Sequence, residues 1–357
     1  MSEDIKEKKF LTYYKYIILF SIIFIFAYIF PKVFVQYFAG NNSLARLEER
    51  IDLNKRITAS VLDARNEVRK DDEGIKVAFV GDIMLDRGVY NKIVKKGAGD
   101  FNFAFANIKN DLKKYDLLVG NLEGPVSDKG IDKHDLYSFR MDPQILPVLK
   151  DLGFGVLSIA NNHIDNWGLS AIEDTISRLS SSGIQVVGGG MNSQESYAPV
   201  IINTKGLKIA LLSFSEFGAG QYESGTSTAG ISVISEQALK RGIELARKSA
   251  DIVVVIFHFG EEYKNTPTEY QKKYAHMAVS LGANLVVGHH PHIVEPIEYY
   301  KNTYIAYSLG NFIFDQYFSP ETMQGGLLEL EIKNKSIVNI NLRTVQMNSD
   351  YQPALTN

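Results

Sequence analysis

Five apolar runs in this chain each stop at a cluster of polar, ligand-type residues, and that pattern limits the folds open to it. The runs begin at Val77, Leu117, Val156, Ile252 and Leu285, and each reads as a buried, strand-like segment. Polar groups just past strand ends fall along one edge of a sheet, where open α/β folds place their ligands. Most telling is Gly288-His289-His290-Pro291-His292, in which three histidines follow an apolar run and a glycine. Four of the seven histidines (His163, His258, His290 and His292) follow such segments, which points to one assembled centre.

Between the runs lie helix-like stretches at 103–114, 143–152, 169–181, 235–248 and 268–281. Asp142 before Pro143 and Thr266 before Pro267 are helix-start signals. Further strands are expected at 185–187, 199–203 and 208–213, with hairpins at 297–307 and 326–345. The alternation predicts an α/β domain with mixed sheets and helices outside.

The 357 residues suffice for a large core, and a net charge of −3 gives no case for nucleic acid. The absence of cysteine excludes disulfides, cysteine-ligated zinc and thiol nucleophiles, while leaving the compartment open. Residues 16–31 carry no charge, and residues 17–38 as a helix would span roughly 33 Å, enough for a bilayer core. Lys6, Lys8, Lys9 and Lys15 precede this stretch, so the positive-inside rule predicts a cytoplasmic segment 1–15 and a transmembrane helix 16–38. The remainder would lie outside the cell membrane. A cleaved signal peptide and a buried core helix are the rival readings; Tyr37-Phe38-Ala39-Gly40 is a poor cleavage site. Residues 39–74 read as a helical stalk or a short dimerising helix, 75–347 as the domain, and 348–357 as a tail.

Each polar cluster has a chemical and a bland reading. Asp82 offers a hard carboxylate at a strand end, or caps a turn. Asn121 and Glu123 are oxygen donors two residues apart, on one side of an extended stretch, or simply begin a loop. In Asn161-Asn162-His163 an amide oxygen can ligate a metal and an imidazole can protonate a leaving group, or the segment is an Asx-rich turn over Trp167. His258 ends its run as a ligand or as a satisfied core histidine, and Glu261 and Glu262 can orient a ligand or bind substrate. His290 and His292 flank one rigid proline and can chelate one centre or bridge two, while His289 is a supporting or strand-face residue. Asn311 offers a substrate hydrogen bond or makes a turn.

In order, Gly81-Asp82-Ile83-Met84, Gly120-Asn121-Leu122-Glu123-Gly124-Pro125, Ala160-Asn161-Asn162-His163, His258-Phe259-Gly260-Glu261-Glu262-Tyr263, the 288–292 cluster and Ser308-Leu309-Gly310-Asn311-Phe312 form one set. This set resembles the bacterial capsule synthesis protein CapA family, also called the poly-γ-glutamate biosynthesis protein PgsA family, over residues 75–347. That family is similar to the calcineurin-like metallophosphoesterases, which implies a four-layer α-β-β-α sandwich with divalent metal (manganese, iron or zinc) at the strand ends. The resemblance implies Asp82, Asn162, His258, His290 and His292 as ligands, Glu123 as a bridging carboxylate, and His163 as the imidazole that protonates the leaving oxygen. Asn121, Glu262 and Asn311 are the expected substrate contacts.

The chain departs from the pattern twice. Met84 stands where phosphoesterases carry a histidine, and a thioether is a poor ligand for such metals, so one metal position is expected to be weak or absent. Asn166 stands where the family often has an aspartate after Asn-Asn-His. The implied function is a membrane-anchored, outward-facing component of poly-γ-glutamate-type capsule synthesis or export, with polymer synthase or export subunits as partners. The alternatives are a secreted phosphoesterase for nucleotides or lipid-linked phosphates, and a non-catalytic scaffold for an anionic polymer.

Overall fold

The apolar runs are continuous because both faces of their strands are covered. The computed structural model describes residues 74–356, together with 18, 19, 21–23, 25, 27, 30, 55, 56, 58 and 60. The chain divides into two units, Met1–Asp72 and Glu73–Asn357. Among the described residues no helix is long and apolar enough to cross a membrane. Of the expected span at 16–38 only 18, 19, 21–23, 25, 27 and 30 are described, and of the stalk at 39–74 only 55, 56, 58, 60 and 74; the rest of both lies outside the described residues.

In the first sheet of the second unit, β1 (Ile75–Ile83), β2 (Leu117–Leu122), β3 (Phe154–Ser158) and β4 (Gln185–Val187) run parallel. A short pair, β5 (Gly189–Gly190) and β8 (Gly230–Ile231), lies apart. The second sheet is built on parallel β7 (Leu207–Ser215), β9 (Ile252–His258), β10 (Leu285–His289) and β12 (Thr303–Ala306). Antiparallel β6 (Val200–Thr204) and β11 (Ile297–Tyr300) form its edges. The first sheet is completed by β13 (Asn311–Ile313), parallel to the end of β1, and by antiparallel β14 (Gln324–Lys333), β15 (Ser336–Met347) and β16 (Pro353–Leu355).

The period-two geometry of a strand assigns each face a partner. On β1, Val77 and Phe79 join the core between the sheets, whereas Ala78 and Val80 join the core under the helices. On β9, Ile252, Val254 and Ile256 face the first sheet, and Val253, Val255 and Phe257 face outward. The helices α1 (Arg87–Lys96), α2 (Ile145–Leu152) and α3 (Leu169–Ser181) cover the first sheet through Val89, Leu149 and Leu179. The second is covered by α4 (Glu236–Ser249) and α5 (Glu269–Leu281) through Ile243 and Ala278. The layer order is therefore helix, sheet, sheet, helix. Each large side chain so buried contributes about 1.5–3 kcal/mol. A capping box between Thr268 and Gln271 starts α5, a motif whose loss costs about 1 kcal/mol.

Three local expectations are corrected. The helix expected at 103–114 is a 3₁₀ turn, Phe101–Phe105, and a single α turn, Lys109–Leu112. Asp100 caps the first, and Phe105, Ile108 and Leu112 satisfy the apolar spacing without one continuous rod. Helix α1 was not expected at all. Residues 353–355, read from the sequence as part of a tail, pair with β15.

Candidate metal centre

Parallel strands bring their carboxyl ends to one edge, and the register places the polar clusters side by side. Asp82 pairs with Asn121 on β2 and with Asn311 on β13, while His289 pairs with His258. Two glycines let the backbones approach there. A Cβ on Gly81 would stand 2.1 Å from the Gly310 carbonyl oxygen, and one on Gly288 would stand 1.8 Å from that of Tyr307. Beyond Gly288 the chain turns sharply: His290 and His292 have φ of 101° and 59°, a region that costs a non-glycine residue about 1–3 kcal/mol. Strain of that kind clusters at sites where side chains must be aimed.

Asp82, Glu123 and His292 meet at the centre, with one ligand atom from each lying within 4.8 Å of the others. The two carboxylates have no solvent exposure, and His292 is 2% exposed. His292 Nε2 is 3.5 Å from Glu123 Oε1, and its Nδ1 is 3.4 Å from Asp82 Oδ2. Around this group stand His258 and His290, with ring centroids 4.9 Å apart. Asn162 Oδ1 accepts from His258 Nε2 at 2.7 Å. His163 Nε2 is 3.8 Å from Glu123 Oε1, and its Nδ1 donates to Asn166 Oδ1 at 3.0 Å.

Charge is badly matched in this group by itself. Burial and the Asp82 charge push the Glu123 carboxyl well above the usual range. Burial opposes the Asp82 charge too, but His289 and His292 outweigh it and hold Asp82 well below the usual range. For His292, burial is overcome by Glu123 and Asp82, which lift its pKa to about 9. Burial pushes the others down: His258 strongly, His290 to about 3 and His163 to about 4. Glu123 Oε1, His289 Nδ1 and His290 Nδ1 are buried without a hydrogen-bond partner. His289 Nδ1 is 3.2 Å from Asp82 Oδ1 but is not aligned for a hydrogen bond. Buried carboxylates persist when paired or metal-bound, so these orphaned oxygen and nitrogen donors fit a divalent cation.

The residues expected at the substrate divide. Glu262 lines a cavity of about 340 Å³ together with Tyr137, Asn162, His163, Asn166 and Tyr222. Asn121 does not line it: it is fully buried, and its Nδ2 donates to Asp82 Oδ1 at 2.8 Å and approaches His258 Nδ1 at 3.3 Å. Asn311 is also buried, accepting from His292 Nδ1 at 3.0 Å and donating to the Thr322 carbonyl at 2.9 Å. Both brace ligands. Met84 turns away into an apolar cluster with Phe139 and Phe314.

His289, expected as a supporting or strand-face residue, is a neighbour of Asp82, placed there by the β9–β10 register, whereas sequence reasoning gives Asn161 no role of its own. Asn161 donates to the Leu122 carbonyl at 2.8 Å and to Asn121 Oδ1 at 3.2 Å, tying the third cluster to the second.

Comparison with known proteins follows the same residues. Positions 76–316 match the family described as bacterial capsule synthesis protein PGA_cap. A PGA biosynthesis protein CapA of Bacillus subtilis (strain 168) is 34% identical over 267 residues, 73% of this chain and 69% of that protein. A capsule biosynthesis protein CapA of Bacillus anthracis is 32% identical over 273 residues, 74% of this chain and 66% of that protein. A solved hypothetical protein from Thermus thermophilus shares the fold at a TM-score of 0.50 and 16% identity, over 76% of this chain and 99% of that one.

Proposed function

We propose a function whose premise is the family: this chain belongs to the bacterial capsule synthesis proteins described as PGA_cap. On that premise it is a capsule-biosynthesis component of poly-γ-glutamate type, and its second unit is a metal-dependent, calcineurin-like hydrolase domain. The observation that carries this reading is the buried Asp82, Glu123 and His292 group, in which Glu123 Oε1 meets no donor. A manganese, iron or zinc ion held by those three, with His258, His290 and Asn162 beside them, would polarise a substrate oxygen and acidify water.

The protein's own residues prepare the remainder. Asn311 fixes the ring of His292 through Nδ1, leaving Nε2 toward Glu123. Asn121 steadies Asp82 and His258 together. His163 is neutral near pH 7 because burial holds its pKa at about 4, so at the cavity wall its Nε2 can accept a proton from the attacking water. The acid role expected from the sequence then follows, as Nε2 returns that proton to the leaving oxygen.

The test uses the full chain in detergent. Elemental analysis should find stoichiometric metal, and turnover of an aryl phosphate with added manganese should fall at least about 100-fold in His163→Ala. Failure to retain or take up metal would sink the reading. Bound metal without phosphoester turnover would instead favour a polymer-binding scaffold, which buried, non-ligating Met84 supports.

In this reading the chain is anchored through residues 16–38 with the domain outside the cell membrane. Its partners are polymer synthase or export subunits and an anionic polymer or phosphate-containing substrate. Support comes from the uncharged stretch 16–31 and from the exposure of Ile18, Leu19, Ile22, Ile23, Ile25 and Phe30. Protease added to intact cells should digest the domain; complete protection would refute the topology.

A further inference from the structure

Asn166, an amide where the family resemblance leads one to expect a carboxylate, is the hub of a small network. The residue is 2% exposed, and both its side-chain oxygen and its side-chain nitrogen are hydrogen-bonded. Its Oδ1 accepts from the Phe139 backbone N–H at 3.0 Å and from His163 Nδ1 at 3.0 Å. Its Nδ2 donates to Asp135 Oδ2 at 2.8 Å. A backbone N–H must meet oxygen and a carboxylate must meet N–H, so the amide has one orientation. A carbonyl only accepts. His163 therefore carries hydrogen on Nδ1, and the hydrogen bond at one ring nitrogen sets the state of the other.

The carboxylate that locks the amide comes from outside the sheets, on the connection from Val126 to Met141. That connection is seated on the His163 turn: Ile131 N–H donates to the Trp167 carbonyl at 3.1 Å, and Lys133 N–H to the Asn166 carbonyl at 2.9 Å. An ion pair of Lys133 with Asp165 adds to it. An aspartate at 166 would set two carboxylates against each other at that contact, so an amide at 166 and a carboxylate at 135 belong together.

We propose that Asp135 and Asn166 are a matched pair that fixes the tautomer of His163, with Asp135 a positioning residue supplied by the 127–140 connection. The proposal rests on the reading of His163 as the proton-moving group, yet its test needs no turnover.

The full chain, labelled with ring-¹⁵N histidine in detergent, gives the readout at pH 7.5, with His163 assigned from His163→Gln. The native protein should show one His163 species with hydrogen on Nδ1. Asp135→Ala should convert this to an averaged mixture of tautomers, and Asp135→Asn, which keeps an acceptor oxygen, should restore the native spectrum. Asn166→Asp alone should raise backbone hydrogen exchange across 131–139 at least tenfold, and combining it with Asp135→Asn should reverse that rise. An Asp135→Ala protein of unchanged melting temperature with a native His163 spectrum would overturn the proposal. So would a double variant as unprotected as Asn166→Asp. Read on the metal-free chain, the tautomer is reported whether or not metal binding or turnover is found, which separates the two failures.

Discussion

Loading the Asp82, Glu123 and His292 group must expel protons, and this makes its affinity steep in pH. His292 is held protonated near neutrality, since burial is outweighed by Glu123 and Asp82 and its pKa rises to about 9. Glu123 is raised as well, by burial and then by the Asp82 charge. A metal ligand must be deprotonated, and the Glu123 charge is what raises His292 most, so the pair shares one proton near neutrality and each ion taken up at pH 7 displaces about one. By linkage each displaced proton changes the dissociation constant about tenfold per pH unit. From pH 6.5 to 7.5 the apparent Kd for manganese should therefore fall about 10-fold, or about 1.4 kcal/mol. Calorimetric titration of the metal-free chain in two buffers of different ionisation enthalpy counts the protons directly. Glu123→Gln keeps the shape but removes the charge that raises His292 most, so the count should drop below about one. The sign for stability differs from that for affinity. The raised His292 pKa stabilises the metal-free fold below its ordinary value of 6.5, and that contribution is lost as pH rises through about 9. Uptake without proton release, or a Glu123→Gln protein that releases as many protons as the parent, would refute the reasoning.

Two further changes probe the scaffold. Burial opposes the charge of Asp174, but Ser127, Lys129 and Arg178 outweigh it and hold the pKa at about 2, below the ordinary 3.8. Asp174→Asn should lower unfolding free energy by about 1–2 kcal/mol at pH 7, with the difference disappearing as pH falls from about 4 to about 2; urea titrations at both ends check this. Gly288→Ala would drive a Cβ to 1.8 Å from the Tyr307 carbonyl oxygen. Chemical denaturation should show a loss above roughly 3 kcal/mol, and native stability would mean that β10 and the following turn are misplaced.

The parts of the fold legible in sequence were those set by burial. Strands covered on both faces must be apolar throughout, so β1, β9 and β10 announce themselves. Helix α1 hides because it buries only Val89 and Ile93, carries Gly88, and takes its cap from Asp86, whose other oxygen accepts from the distant Arg140 N–H. The three-residue strands β13 and β16 hide for a related reason: each is held by pairing with β1 or β15, and no periodicity fits in so few positions.

At the site, residue type told which groups can donate or accept but not which neighbours use them. Asn121 and Asn311 have the chemistry of substrate contacts, yet register brings them against Asp82 and His292 first. Met84 shows the limit most clearly. Two residues after Asp82 on a regular strand it would share that residue's face. The pairing of β1 with β13 shifts between Asp82 and Ile83, and Met84 falls instead among Phe139 and Phe314. Phe314 packs edge-on to His292 with ring centroids 4.9 Å apart. The residue that removes a ligand from the expected two-metal set therefore also completes the apolar wall behind the imidazole that remains. A polar replacement at Met84 would disturb that wall before it offered a metal anything.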